Sequence, residues 1–214
     1  MKKTILIFLS VILFSPVISQ DLDIFKSKEK NGYKIEGYVE GLQDTSVILA
    51  YYFGGKQYAT DTANSISGRF TFLGEKKLPG GMYLVVLPNQ QYFDIVISEQ
   101  HFSFTTDIKS PIEKMKFKNS VENTPFYEYL NFITKKQKEV TPLRELEKTV
   151  PEEEKNQIKE KILKIDSEVK NFKNSFEKKY SNIFFTKILK ATTEPIIPEA
   201  PDSMNTQEKQ IFQF

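Results

Sequence analysis

The sequence predicts an α+β protein with segregated halves, an N-terminal antiparallel β-sandwich followed by a C-terminal helical hairpin. Two observations carry this. From Gly32 to Lys118 apolar residues recur at every second position, the period of strands with one buried face. After Asn119 the period changes to 3.6, the period of an amphipathic helix. A third observation limits how the fold is held. The 214 residues contain no Cys and no Trp, so the core rests on packing, largely of 18 Phe and 10 Tyr.

The chain opens with a targeting pattern. Lys2 and Lys3 precede the apolar run Ile5–Phe14, Pro16 ends it, and Val17-Ile18-Ser19 suits a cleavage site. Residues 1–19 therefore read as a secretory signal peptide, cut near Ser19 or Gln20. The run is too short for a spanning helix, which needs about 20 apolar residues. No Cys follows it to carry a lipid. The expected location is the periplasm or cell envelope, as a soluble protein and not a lipoprotein, with no membrane span after cleavage.

Residues 20–118 form the predicted sandwich. Val47, Leu49, Tyr51 and Phe53 share one parity and are expected inside, with Tyr52 outside. Phe70 and Phe72, then Phe93, Ile95 and Ile97, then Phe102 and Phe104 repeat the pattern. Met82–Leu87 is apolar throughout and reads as a central strand buried on both faces. Turns are expected at Gly54-Gly55, Asn64-Ser65 with Ser67-Gly68, Pro79-Gly80-Gly81 and Pro88-Asn89. About seven or eight strands follow from this spacing.

Residues 119–193 form the predicted helical region. Thr124 suits an N-cap and Pro125 the first helical position, with Phe126, Tyr129, Leu130 and Ile133 as the stripe. Pro142 predicts a kink, or a restart capped by Thr141. Thr149-Val150-Pro151-Glu152 has capping-box spacing before a second helix. Its seam, Ile158, Ile162, Ile165, Val169, Phe172 and Phe176, steps by fours and threes as heptads do. That seam packs most economically on the first helix, though it also suits a homodimer partner. A third helix near Asn182–Ala191 presents Ile183, Phe184, Ile188 and Leu189. Residues 194–214 read as a Pro-rich extended linker and the opening of a further helix.

The same residues exclude several chemistries. Without Cys there is no thiol nucleophile, and with a single His a zinc site has too few ligands. His101 lacks an orienting partner for base chemistry, and Ser98 and Ser103 merely flank strands. Neither Gly54-Gly55 nor Gly80-Gly81 sits in a strand–loop–helix phosphate motif. Glu152-Glu153-Glu154 suits a helix N-terminus better than a calcium loop. No convergent acid/base pair supports a carboxylate enzyme. The +2 formal charge comes from Lys2 and Lys3, so the mature chain is balanced and nucleic acid is not an expected partner. No catalytic residue, metal or cofactor is expected. The aromatic group Tyr51-Tyr52-Phe53 with Tyr58 offers a candidate interaction surface, with Tyr52 and Tyr58 as its outward members.

Several strings carry a resemblance. Gly37-x-Val39-x-Gly41-Leu42 precedes Val47-x-Leu49, then come Gly68-Arg69-Phe70-Thr71-Phe72-x-Gly74 and Gly81-Met82-Tyr83. Glu122-Asn123-Thr124-Pro125-Phe126-Tyr127 opens the helices. Together they resemble the N-terminal regions of exported thiol–disulfide interchange proteins of the TlpA/ResA-like kind in Bacteroidota. In that family a β-sandwich and a helical segment precede a thioredoxin-like domain with a Cys-x-x-Cys motif. The resemblance implies that this chain is the front part of such a protein, truncated or split, with a thioredoxin-like domain or protein as its partner. It implies a non-catalytic role in positioning, dimerising or recruiting substrates. The alternative is a stand-alone envelope module that binds a peptide, glycan or partner protein.

Overall fold

The computed structural model describes residues 31–192. The signal-peptide expectation, with Ser19 and Gln20, and the expectations for 194–214 lie outside the described residues. Eight strands precede three helices: β1 Tyr33–Glu40, β2 Thr45–Phe53, β3 Lys56–Ser65, β4 Arg69–Gly74, β5 Gly81–Val86, β6 Tyr92–Ile97, β7 His101–Asp107, β8 Lys116–Lys118, α1 Asn123–Thr149, α2 Glu152–Lys179 and α3 Phe184–Ala191. The chain divides into two compact units between Thr124 and Pro125.

The first unit is built on two four-stranded sheets, ordered β4-β1-β7-β8 and β3-β2-β5-β6. All neighbouring strands are antiparallel except β1 and β7, which run parallel. Strand parity sets which side chains lie inside, the expected Val47, Leu49, Phe72, Ile95 and Phe104 among them. Ile35, Val39, Phe72 and Phe104 of one sheet and Val47, Leu49, Val85 and Ile95 of the other are fully buried or nearly so. Phe104 is the hub, with its ring centroid 5.9 Å from Phe70, 5.5 Å from Phe93 and 6.0 Å from Phe117. Leu84 and Val96, on the opposite face of their sheet, are also buried, so that sheet is covered on both faces near β5. The residues after β8 stay with this unit because Glu99 binds them. Its carboxylate accepts from the Val121 N–H at 2.7 Å and from the Ser120 hydroxyl at 3.3 Å.

Four local expectations of the β half are corrected. Asn64-Ser65 is not a turn but the end of β3, and Ser67-Gly68 alone makes the reversal into β4. Ser103 lies within β7 rather than beside it. Tyr51 and Phe53 are not inside. Phe53 is 71% exposed, because β2 pairs with β5 only from Ile48 to Tyr51 and the hairpin continues past the sandwich. Gly54 and Gly55, with φ of 56° and 76°, make the two-residue turn at its tip.

In the second unit α1 and α2 run antiparallel. Glu128 meets Lys179, Phe132 stacks on Phe172 at 3.8 Å, and Lys136 reaches Glu168. Phe126, Tyr129, Phe176 and Phe185 complete the aromatic core. Of the expected seam of α2, Phe172 and Phe176 pack on α1, Ile158, Ile162 and Phe176 are buried, and Ile165, Val169 and Phe172 are half-buried. Three helix-end expectations differ. Thr124 does not cap α1. The Ser120 hydroxyl accepts from the Asn123 N–H at 3.1 Å, one turn earlier. Thr149 bonds back to the Leu146 carbonyl, so α2 begins with no side-chain cap. Helix α1 runs through Pro142 without a restart, and Thr141 donates to the Gln137 carbonyl instead. In α3 Leu189 is buried as expected, together with Phe185 and Thr186, while Ile183, Phe184 and Ile188 are half-buried. No helix among the described residues is long and apolar enough to cross a membrane.

Candidate binding surface

One end of the sandwich gathers the exposed aromatic side chains. Across the β2–β3 hairpin Tyr51 lies opposite Tyr58, and the two rings stack with centroids 5.8 Å apart. Phe53 sets its edge to Tyr58 at 6.5 Å. Behind them Tyr51 meets the buried Tyr83 at 6.1 Å. The strip thus runs from the core out to the hairpin tip, where Phe53 is the most exposed member. Tyr58 is 42% exposed and Tyr51 36%.

The two tyrosines singled out from the sequence are not brought together. Tyr52 lies across from Gln57, so it occupies the opposite face of the hairpin from Tyr58. There its hydroxyl donates to Asp94 at 3.3 Å. Partial burial and then the charge of Asp94 push the Tyr52 phenol up to about 12. Burial in turn raises the Asp94 carboxyl, and the Tyr52 bond opposes that rise. The sequence reading missed Tyr51 and Phe53 as surface residues. Their signal was Gly54-Gly55 directly after Phe53, which marks the tip where facing strands have ended.

Beside this strip lies an open cleft of about 570 Å³, lined by Tyr33, Thr60, Leu73, Gly74 and residues 75–79. Its walls are pinned. The Gln100 carboxamide accepts from the Leu78 N–H at 2.8 Å and donates to the Leu78 carbonyl at 3.1 Å. The Tyr83 hydroxyl donates to the Pro79 carbonyl at 2.9 Å. On the other side Tyr33 donates to Asp61 at 2.8 Å, and the second Asp61 oxygen accepts from the Thr62 N–H. Burial, then that bond and the Asp61 charge, raise the Tyr33 phenol far above its usual range. The Tyr33 ring lies across Gly74, where an added Cβ would sit 2.2 Å from a ring carbon. Only glycine permits that approach. Lys76 and Lys77 stand at the mouth of the cleft and Lys56 lies beside Phe53. None of the three forms an ion pair among the described residues.

The rings of this surface offer stacking and apolar contact, its lysines offer positive charge, and its tyrosine hydroxyls are engaged or exposed. No group of three or more His, Asp or Glu among the described residues is placed to hold a metal ion. His101 starts β7 with Nε2 3.3 Å from the Gly32 carbonyl. Glu152, Glu153 and Glu154 occupy the first turn of α2, where the helix dipole favours them.

Residues 33–126 match the domain of unknown function DUF4369. No curated protein and no solved structure matches the chain.

Proposed function

We propose that this chain is an exported, non-catalytic recruiting unit that holds a polypeptide client for a separate thioredoxin-like domain. The observation that carries the reading is the aromatic strip Tyr51–Tyr58–Phe53, displayed on a hairpin that projects past the sandwich. Apolar surface on a folded scaffold, left open and rimmed by lysines that form no ion pair among the described residues, favours contact with another molecule. The resemblance to exported thiol–disulfide interchange proteins supplies the partner's chemistry. The 214 residues have no Cys, so any disulfide exchange belongs to that partner.

The test is a fusion of this chain to a thioredoxin-like domain with a Cys-x-x-Cys motif, assayed on unfolded, disulfide-scrambled ribonuclease. Recruitment lowers KM severalfold relative to the isolated redox domain and leaves kcat unchanged. Phe53→Ser with Tyr58→Ser in the fusion returns KM to the isolated value. A KM that is the same with and without the fused chain overturns the proposal. Capture of the client by this chain alone, with no effect on KM, favours the stand-alone envelope module instead.

A further inference from the structure

The two sheets have four edges, and they are treated differently. On β6 the fully buried Asn123 carboxamide accepts from the Val96 N–H and donates to the Val96 carbonyl, both at 2.7 Å. That side chain occupies the place of a further strand. Strand β8 has only three residues and β4 six. Strand β3 has ten and pairs with β2 alone, and no backbone bond joins it to another element among the described residues. Its Thr62 N–H is taken by Asp61 of the same strand, so the open stretch is Lys56–Thr60. Such edges are usually blocked by proline, charge, a bulge or a covering element. Lys56 stands at one end of this stretch and the bulge at Thr60 at the other, and residues 57–59 between them carry neither. Here the stretch holds no proline, and the exposed Tyr58 sits at its centre.

We infer that β3 is a docking edge for an extended segment of another polypeptide, which adds as a strand beside Lys56–Thr60 and runs its end into the cleft lined by Thr60 and Lys77. This rests on the recruiting reading and names its client. A row of free main-chain N–H and C=O groups at strand spacing is complementary to another extended backbone. Tyr58, Tyr51 and Phe53 share one face and accept apolar side chains at alternate positions. Lys56, Lys76 and Lys77 favour a carboxylate on the segment. A second copy of this chain fits less well. Two-fold pairing about Tyr58 sets Lys56 of one copy opposite Thr60 of the other, beside Lys76 and Lys77. The β3 bulge that leaves Thr60 unmatched would fall within both paired edges of a dimer, whereas a client strand meets it once, at the end that turns into the cleft.

The probe is a fluorescein-labelled peptide of alternating valine and glutamate, with two twins N-methylated at alternate amides of either parity. Anisotropy should show binding of the parent peptide. One twin, whose missing N–H groups face β3, should bind about tenfold or more weakly, and the other should bind like the parent. Amide exchange should slow at residues 56–60 when the parent is added. Tyr58→Ser should weaken binding with the melting temperature unchanged. Equal binding of all three peptides, no binding of the parent, or protection of β3 that depends on chain concentration without peptide overturns the inference. None of these outcomes alters KM in the fusion assay, which judges the recruiting reading separately.

Discussion

Asn123 shows how much one side chain can settle. It is fully buried, and its carboxamide closes both free groups of Val96 on an edge strand. Apolar replacement removes both partners at once. A buried donor or acceptor left unpaired costs roughly 1–3 kcal/mol, so Asn123→Leu should lose about 2–5 kcal/mol in urea unfolding. A loss under about 0.5 kcal/mol, the range of neutral surface changes, would mean that water replaces the clamp. Tyr52 makes a different residue-scale case, because its bond to Asp94 touches a titrating group. Its folded value is raised, so the protonated phenol is the form that the fold favours. The stability it contributes is complete below the ordinary tyrosine range near 10 and is lost as pH rises through about 12. Phenolate absorbance should therefore show a late-titrating tyrosine near 12 that disappears in Tyr52→Phe. Asp94→Asn should move it to lower pH, since a negative neighbour is removed. An unchanged titration curve in both variants would assign the late group elsewhere.

At the scale of elements, the helical hairpin keeps one feature that works against it. Pro142 sits inside α1 with no N–H to give, yet the helix continues to Thr149. Continuity comes from packing on α2 rather than from local preference. Phe132 stacks on Phe172, Lys136, six residues before the proline, bridges Glu139 and Glu168, and Arg144, two residues after it, reaches Asp166 at 3.5 Å. An internal proline costs a helix about 3 kcal/mol relative to alanine in isolation. Pro142→Ala should therefore stabilise the helices, by about 1–3 kcal/mol, as read from the helical circular dichroism in a urea titration. Destabilisation would mean that the proline itself is needed for the α1–α2 contacts. The other hairpin, β2–β3, has the reverse design. Its turn chemistry is ideal, and what it lacks is a facing sheet, which is why its aromatic side chains remain outside.

For the molecule as a whole, the change of period near Asn119 was a reliable guide, because each unit buries a single face with its own repeat. The parity of Val47 and Leu49, or of Phe93, Ile95 and Ile97, is a local property and survives into the structure. Where the facing sheet stops is not local, so Tyr51 and Phe53 were misplaced although their parity was right. The clamps of Asn123 and Gln100 depend on register between distant strands, and no spacing in the chain announces them. The same distinction bears on how the chain unfolds. One unit has the Phe104 cluster as its core and the other has the Tyr129–Phe176–Phe185 cluster. Each core is complete in itself, and units of that kind open as separate cooperative blocks. Native-state amide exchange should therefore give two global opening free energies, one shared by the central strands β1, β2, β5 and β7 and one by α1 and α2. Asn123→Leu supplies the discriminating perturbation, because Asn123 lies in the first helical turn but its side chain bonds to Val96 and Ser120 of the sandwich unit. It should lower the strand value by the same 2–5 kcal/mol seen in urea and leave residues 129–176 within about 0.5 kcal/mol of their starting value. An equal fall in both sets would show that strands and helices unfold as one block, with α1 transmitting the loss across the boundary at Thr124.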